Sequence, residues 1–312
     1  MIQRKSRIRK KCCNVLSVFI EKYSLIIGPI SGSIQNLARG EWALENNNSV
    51  YNFYENHFDE ANRCSGNPLE FIRSQEIIQR FLTPSPMLIA DIAGANGFYS
   101  FWLAEQGHQV HLLDLSDKHI EQARQRGQQG AVTLQSYNCG DARQLPWDGN
   151  TFDMVLLMGA LYHLQEGSDR MQCIKECLRV LKPGGIAIFS YISRSASLVD
   201  GYKYQFINDP MFQHIVETDL QTGNHENPEG NPDYFTTAFF HSPSLIMQEL
   251  QQSGFQGIRL FAVEGFASII DTNEIMLAED KKALLLKYLR LTEEFPELLG
   301  ISSHLLAVAK KA

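Results

Sequence analysis

Apolar and polar positions along the chain fall into alternating blocks that predict strands and helices in turn. Five continuous apolar runs, typical of strands buried on both faces, are MLIAD (87–91), QVHLLDL (109–115), VTLQSYN (132–138), FDMVLLM (152–158) and GIAIFSYI (185–192). Helical segments precede the first strand and follow the first, second and fourth, and the strands IRLFAVEG (258–265) and HLLAVAKKA (304–312) come later in the chain. The alternation predicts a doubly wound α/β fold with a mostly parallel seven-stranded sheet of the Rossmann-like kind.

The same pattern divides the chain into segments. Residues 1–45 form a basic and apolar extension, and residues 46–312 form the α/β domain. Residues 193–242 follow the fifth strand, are irregular and rich in Asn, Pro, Gly and aromatic residues, and are interpreted as a lid insertion. The apolar stretch of this extension is cut short by Glu21 and Lys22 and is too short to span a bilayer, which takes about 20 apolar residues. We expect it to be poorly ordered, with contact to a membrane surface as the less favoured alternative.

Charge and cysteine content narrow the classes of partner. The formal net charge is −7, and six of the first eleven residues are basic, which leaves 22 basic against 35 acidic residues in the remainder. An acidic body disfavours a nucleic-acid partner, so a small-molecule substrate is expected. The six cysteines form no Cys-x-x-Cys pair. We therefore expect no metal site and a reducing, cytoplasmic location.

Acidic residues and glycines gather where the predicted parallel strands end, which is where such sheets bind ligands. Asp91 opens the turn DIAGANG (91–97), which includes Gly94 and Gly97, and Asp114 ends the next strand 23 residues later. Asp114 is placed to accept hydrogen bonds from two ribose hydroxyls. The turn lacks the G-x-G-x-x-G pattern that admits a pyrophosphate. A nucleoside ligand without phosphates is therefore favoured over a nicotinamide dinucleotide, and an NAD-dependent oxidoreductase is the weaker alternative.

A further acidic turn, GDARQLPW (140–147), follows the third strand. An acid followed by a backbone N–H can recognise both edges of an adenine, with Asp141 accepting from the exocyclic amine and the Ala142 N–H donating to the ring. The alternative is that Asp141 only caps a turn, as aspartates commonly do.

These motifs together resemble a known family. LIADIAGANG, HLLDLS, GDARQLPWDGNTFDMVLLMGALYHL and CLRVLKPGG, in this order and spacing, are similar to class I S-adenosylmethionine-dependent methyltransferases, and the flanking segments resemble a bacterial small-molecule branch. The resemblance implies S-adenosylmethionine as cofactor. It implies that Asp91 and the backbone of Gly94 and Gly97 border the methionine part, Asp114 the ribose, Asp141 and Ala142 the adenine, and the Met158 backbone the sulfonium. Arg73 is a weaker candidate partner for the cofactor's carboxylate, and a surface ion pair explains it about as well.

Methyl transfer by in-line displacement needs little beyond alignment, but a hydroxyl or amine acceptor also needs a base. His163, in MGALYHL, is the candidate base, and a structural histidine is the alternative. His241, in FFHSP, is a weaker candidate that would reach the pocket from the lid. Aromatic residues of the lid favour a small, partly apolar acceptor methylated on oxygen or nitrogen. A protein that binds the cofactor without catalysis is the remaining alternative, because Ala93 and Ala95 stand where the family's motif has glycine.

Overall fold

The structure of the chain is a computed structural model that describes residues 68–231 and 233–312. The predicted extension over 1–45, with its membrane contact, lies outside the described residues. Among the residues that are described, no helix combines the length and apolar character needed to cross a membrane.

The described residues form ten α-helices and nine strands. The helices are α1 Pro68–Gln79, α2 Phe98–Glu105, α3 Asp117–Gln129, α4 Gly167–Val180, α5 Ala196–Lys203, α6 Pro210–Thr222, α7 Pro243–Gln252, α8 Asn273–Leu277, α9 Glu279–Thr292 and α10 Pro296–Leu299. The strands are β1 Leu88–Ile92, β2 Gln109–Asp114, β3 Ser136–Cys139, β4 Phe152–Leu157, β5 Leu181–Ile192, β6 Asn224–His225, β7 Ala238–Phe239, β8 Gln256–Ala262 and β9 His304–Lys310.

Seven of these strands form one sheet in the order β3-β2-β1-β4-β5-β9-β8. Strands β1 to β5 are parallel, and β9 runs antiparallel between β5 and β8. The fold class predicted from the sequence is confirmed. Because the first four strands are parallel, their carboxyl ends lie at one edge of the sheet. The strand order reverses at β1, which lies between β2 and β4, and ligands bind at such a point.

Helix α3 shows how local sequence sets an element's limits. The Ser116 hydroxyl accepts a hydrogen bond from the His119 N–H at 3.2 Å and caps the start of the helix, as its residue type predicts. Gly127 is typical of a helix end, but α3 continues past it to Gln129 and is capped at Gly130. Ile120 and Ala123 are buried and fix the helix on the sheet, so one interior glycine, which costs about 1 kcal/mol relative to alanine, does not end it.

The segment 193–242, here called the lid segment, is more regular than predicted. It contains α5, α6 and the two-stranded antiparallel sheet of β6 and β7. Phe212, Ile215, Val216 and Tyr234 pack together inside it and give it a small apolar core of its own. The prediction of an irregular segment is therefore wrong, because these apolar side chains bury enough surface to stabilise two helices. Its role as a lid remains a prediction.

Candidate active site

The edge formed by the carboxyl ends of β1 to β4 brings most of the predicted site residues together. Asp91 is the penultimate residue of β1, Asp114 ends β2, Asp141 and Ala142 follow β3, and Met158 follows β4. The loops after β1 and β4 meet backbone to backbone, since a Cβ at Gly159 would lie 2.9 Å from the Ala93 carbonyl oxygen. The site is thus built on neighbouring strands of a rigid sheet.

The turn after β1 places its alanines and glycines in unexpected positions. Ala93 and Ala95 have φ angles of 54° and 48°, in the left-handed region that favours glycine. Gly94 is required by space instead, because a Cβ there would lie 2.6 Å from Leu112 Cδ1 and 2.7 Å from Asp91 Cγ. Gly97, with a φ of 82°, caps the start of α2. The turn therefore keeps its tight path with methyl groups at two positions that bend the chain.

Asp91 is fully buried beneath this turn. Its Oδ2 accepts a hydrogen bond from the Ser100 hydroxyl at 2.6 Å, and its Oδ1 has no partner among the described residues. Burial, together with the nearby Asp114 carboxylate, raises the pKa of Asp91 to about 7 although the Ser100 hydrogen bond lowers it. A cation that reaches this buried carboxylate would stabilise its ionised form.

Asp114 connects the ends of β1 and β2. Its Oδ2 accepts from the Ala95 N–H at 2.8 Å, and its Oδ1 accepts from the Ser116 N–H at 2.9 Å and lies 3.2 Å from His119 Nδ1. A carboxylate has about four lone-pair sites. Asp114 therefore fixes the first turn and retains capacity to accept from a ligand.

The turn after β3 gives Asp141 the capping role that the sequence left as an alternative. Asp141 Oδ1 accepts from the Arg143 N–H at 2.8 Å, and the Arg143 guanidinium forks onto both carboxylate oxygens at distances of 2.6–3.1 Å. Arg143 also reaches Asp169 Oδ2 at 2.6 Å. The Ala142 N–H, in contrast, has no acceptor among the residues that the structure describes. It remains available to a ligand.

His163 ends a short 3₁₀ turn, Leu161–His163, directly after β4. Its ring stacks on Phe235 of the lid segment, with centroids 5.7 Å apart and an interplanar angle of 23°. The Tyr162 hydroxyl donates to the Met158 carbonyl at 3.3 Å and ties the turn to the end of β4.

Arg170, which sequence reasoning did not single out, fixes the chain that follows His163. Its Nη1 donates to the carbonyl oxygens of Leu164 at 2.9 Å and Gln165 at 2.6 Å, and its Nε donates to Glu249 Oε1 at 3.0 Å. The guanidinium also lies 3.7 Å from the centroid of the Phe239 ring in the lid segment. This buried arginine joins the turn after β4, the lid segment and α7.

Arg73 has protein partners in the structure. It is fully buried, with ion pairs to Glu76 and to Glu293, and its Nε lies 3.4 Å from the carbonyl oxygen of Val263, which follows β8. The ion pair considered from the sequence is therefore present, but buried rather than on the surface. Glu76 lies in α1, Glu293 directly follows α9 and Val263 directly follows β8, so none of these partners belongs to the turn after β1. A contact between Arg73 and the cofactor remains a prediction.

A cavity of about 460 Å³ lies beneath the lid segment, next to the carboxyl end of β5 and the start of β9. Its walls include the rings of Tyr204, Phe206, Phe212, Tyr234, Phe235 and Phe240. Its polar lining includes Asp200, His225 and His304. His241 does not line it and is fully buried, 3.3 Å from Glu249 Oε2, so the expectation that His241 reaches the pocket is not met.

Each of the two cavity histidines is oriented by a buried carboxylate. His225 Nδ1 lies 2.9 Å from Asp219 Oδ2, which also accepts from the Ser197 hydroxyl at 2.5 Å. His304 Nδ1 lies 2.6 Å from Glu264 Oε1. Glu264 accepts from the Ser302 hydroxyl at 3.1 Å as well and so fixes the start of β9. Side-chain oxygens of Glu70 and Glu264 and a ring nitrogen of His304 all lie within 4.8 Å of one another.

Comparisons with known proteins agree on one family. The family model described as a methyltransferase domain matches residues 90–189. The ubiquinone biosynthesis O-methyltransferase of Coxiella burnetii is 27% identical over 215 residues, covering 68% of this chain and 82% of that protein. The ubiquinone/menaquinone biosynthesis C-methyltransferase of Idiomarina loihiensis is 30% identical over 125 residues, covering 38% of this chain and 48% of that protein.

Solved structures show the same fold. An S-adenosylmethionine-dependent methyltransferase of Methanosarcina mazei has a TM-score of 0.51 at 17% identity, covering 75% of this chain and 96% of that chain. A second, of Mesorhizobium loti, has a TM-score of 0.51 at 16% identity, covering 78% and 100%. The methyltransferase domain over residues 90–189, together with these relatives and solved structures, supports a class I S-adenosylmethionine-dependent methyltransferase. The predicted enzyme class and cofactor are confirmed.

The site of this methyltransferase fits its cofactor on three observations. The orphaned Asp91 Oδ1 suits an ammonium group, the Ala142 N–H suits a ring nitrogen of adenine, and Asp114 retains capacity for ribose hydroxyls. The backbones of the loops after β1 and β4 also lie close together, at Ala93 and Gly159. The individual contacts to the cofactor remain predictions.

In this methyltransferase we expect Asp114→Ala to weaken S-adenosylhomocysteine binding at least tenfold, which corresponds to about 1.4 kcal/mol. The substitution removes the ribose acceptors and also releases the Ala95 and Ser116 N–H groups, which leaves polar groups unpaired. Calorimetric titration measures the effect. Glu121→Gln, on the exposed face of α3, serves as the charge-matched control, and an affinity unchanged by Asp114→Ala would contradict the assignment.

Proposed function

We propose that this methyltransferase transfers a methyl group to a small, largely aromatic acceptor, on a hydroxyl oxygen. The observation that carries the proposal is the aromatic-walled cavity of about 460 Å³, whose wall residue Phe235 stacks on His163. Its volume lies in the range of ligand pockets, about 300–1,000 Å³, and its apolar walls with few polar groups suit such a ligand.

His163 is the proposed base. S-adenosylmethionine supplies, when bound, a methyl group on a sulfonium leaving group. His163 follows β4 at the edge of the sheet where the cofactor-binding motifs end, and it takes the proton that the acceptor's hydroxyl loses. Arg170 holds the carbonyl groups that follow His163 and thereby fixes the path of the turn. The lid segment covers the cavity and excludes water from it.

The relatives support an aromatic hydroxyl as the acceptor. The Coxiella burnetii relative, an O-methyltransferase of ubiquinone biosynthesis, covers more of this chain than the Idiomarina loihiensis C-methyltransferase does. Oxygen is therefore the proposed acceptor atom, and an intermediate of quinone biosynthesis bearing a phenolic hydroxyl is the proposed type of acceptor.

The proposal is tested by incubating the full chain with methyl-labelled S-adenosylmethionine and a panel of catechols and hydroquinones that carry short isoprenoid tails. The expected product is a labelled methyl ether, identified by mass spectrometry. Unlabelled casein and tRNA, incubated with the same labelled cofactor, serve as controls for macromolecular acceptors. Label on a ring carbon would overturn the choice of oxygen, and label only in protein or tRNA would overturn the small-molecule proposal.

A further inference from the structure

Among the described residues that line the cavity, Asp200 is the one half-buried carboxylate whose side chain accepts no hydrogen bond from the protein. It lies in the last turn of α5, where the negative end of the helix dipole disfavours an anion. No residue in 68–231 or 233–312 donates a hydrogen bond to its side chain, whereas its backbone carbonyl accepts one from the Tyr204 N–H at 2.8 Å. A carboxylate so placed is costly unless something else pairs with it.

The surroundings of Asp200 do not neutralise it. Burial raises the pKa of Asp200, and the nearby charges of His304 and Lys203 lower it without reversing that effect. Lys203 is exposed, and His304 is paired with Glu264. The acid therefore faces an aromatic cavity in which no described donor reaches it.

The other polar groups of the cavity lining differ from Asp200 in this respect. His225 is bound to Asp219 and lies 3.3 Å from the Phe235 carbonyl oxygen, so both of its ring nitrogens have partners in the lid segment. Asp233 is exposed to solvent at the rim. An acceptor that enters the cavity thus meets apolar ring faces, the two paired histidines and the hydroxyls of Ser197 and Ser303. It also meets one half-buried carboxylate, Asp200, whose ionised form only accepts hydrogen bonds.

We infer that Asp200 is the specificity-determining residue of the acceptor site, selecting aromatic molecules that carry a hydrogen-bond donor, either a hydroxyl or a protonated amine. This inference rests on the proposed transfer to a small molecule and specifies which molecules the site admits. A molecule of the same shape without a donor leaves the carboxylate desolvated and unpaired, and sites of this kind reject such analogues strongly.

The test measures binding of three probes of one shape to the full chain saturated with S-adenosylhomocysteine. The probes are 2-naphthol, 2-methoxynaphthalene and 2-naphthylmethylamine, titrated by fluorescence. The variants are Asp200→Leu and Asp200→Asn, with Asp233→Asn as the control, since it removes a charge from the same lining at an exposed position. Melting temperatures are recorded alongside.

In the wild type and in Asp233→Asn, we expect the naphthol or the amine to bind at least tenfold more tightly than the methoxy compound. Preference for the naphthol alone identifies a hydroxyl acceptor, and preference for the amine alone identifies an ammonium acceptor. In Asp200→Leu the preference disappears while the melting temperature stays equal or rises, because no native hydrogen bond is lost. Asp200→Asn keeps the naphthol and loses the amine.

Equal binding of all three probes by the wild type, or a preference that survives Asp200→Leu, would overturn the inference. So would a clear fall in the melting temperature of Asp200→Leu, because it would show that the acid stabilises the fold. The methyl-transfer assay above does not involve this comparison. Failure to methylate any panel compound and failure of donor selectivity are therefore separate results.

Discussion

Replacement of His163 by Asn lowers kcat by roughly 10²–10⁴, the usual contribution of general acid–base catalysis, and leaves S-adenosylhomocysteine affinity unchanged. Asparagine keeps the polarity and approximate size of histidine but takes up no proton at neutral pH. The cofactor contacts are expected on Asp91, Asp114 and Ala142, which lie on other loops. Single-turnover rates and calorimetric affinities separate the two effects.

His214→Asn is the matched control, because it makes the same change on the exposed face of α6. At saturating cofactor, the wild-type rate is expected to rise with pH, because only the unprotonated form of a base accepts the acceptor's proton. The His163 variant loses that dependence. A kcat within about threefold of the wild type would assign His163 a packing role against Phe235 instead.

Binding of S-adenosylhomocysteine is expected to release about half a proton at pH 7, because the free protein's Asp91 has a pKa of about 7 and the ligand's ammonium favours its carboxylate. Affinity then falls on the order of 50-fold between pH 7 and pH 5, as Asp91 becomes fully protonated in the free protein. Titrations in buffers of different ionisation enthalpy measure the proton directly.

The contribution of Asp91 to folding stability changes with pH in the opposite direction to the ligand affinity. The pKa of Asp91 is higher in the folded chain than its ordinary value of 3.8, so its neutral form favours folding at low pH. That contribution is lost as pH rises from about 4 to about 7 in the ligand-free protein. Asp91→Asn removes both the proton release and this loss, whereas Asp280→Asn, an exposed acid of α9, leaves both in place. Proton release that persists in Asp91→Asn would assign the linkage to another group.

The sequence predicts well those strands whose position is set by a single pattern, a run of apolar residues. Continuous apolar runs mark β1, β2, β4 and β5, and the acids at their ends lie on one edge because parallel strands share a direction. Asp141 shows the limit of such reasoning. Turn capping and ligand recognition use the same residue type, so the sequence could not separate them, and the structure shows the capping contact directly.

The parts that the sequence did not predict depend on contacts between distant segments. The cavity is formed by the end of β5, the lid segment and the start of β9, and its walls include residues from Ile192 to His304. Asp200 carries no local motif, and Arg170 reads as an ordinary surface residue of a polar helix. Only tertiary packing leaves the first without a donor and buries the second against Glu249.

The alanines of the β1 turn bear on how such sites are found in sequences. A left-handed alanine costs roughly 1–2 kcal/mol relative to a favourable angle, and glycine at the same position costs entropy in the unfolded chain of a similar order. Positions 93 and 95 therefore carry alanine at a net cost that the unfolded-state entropy offsets only in part, whereas position 94 has no room for a methyl group. A search that recognises this turn by its glycines passes over chains that make the identical backbone path with alanine.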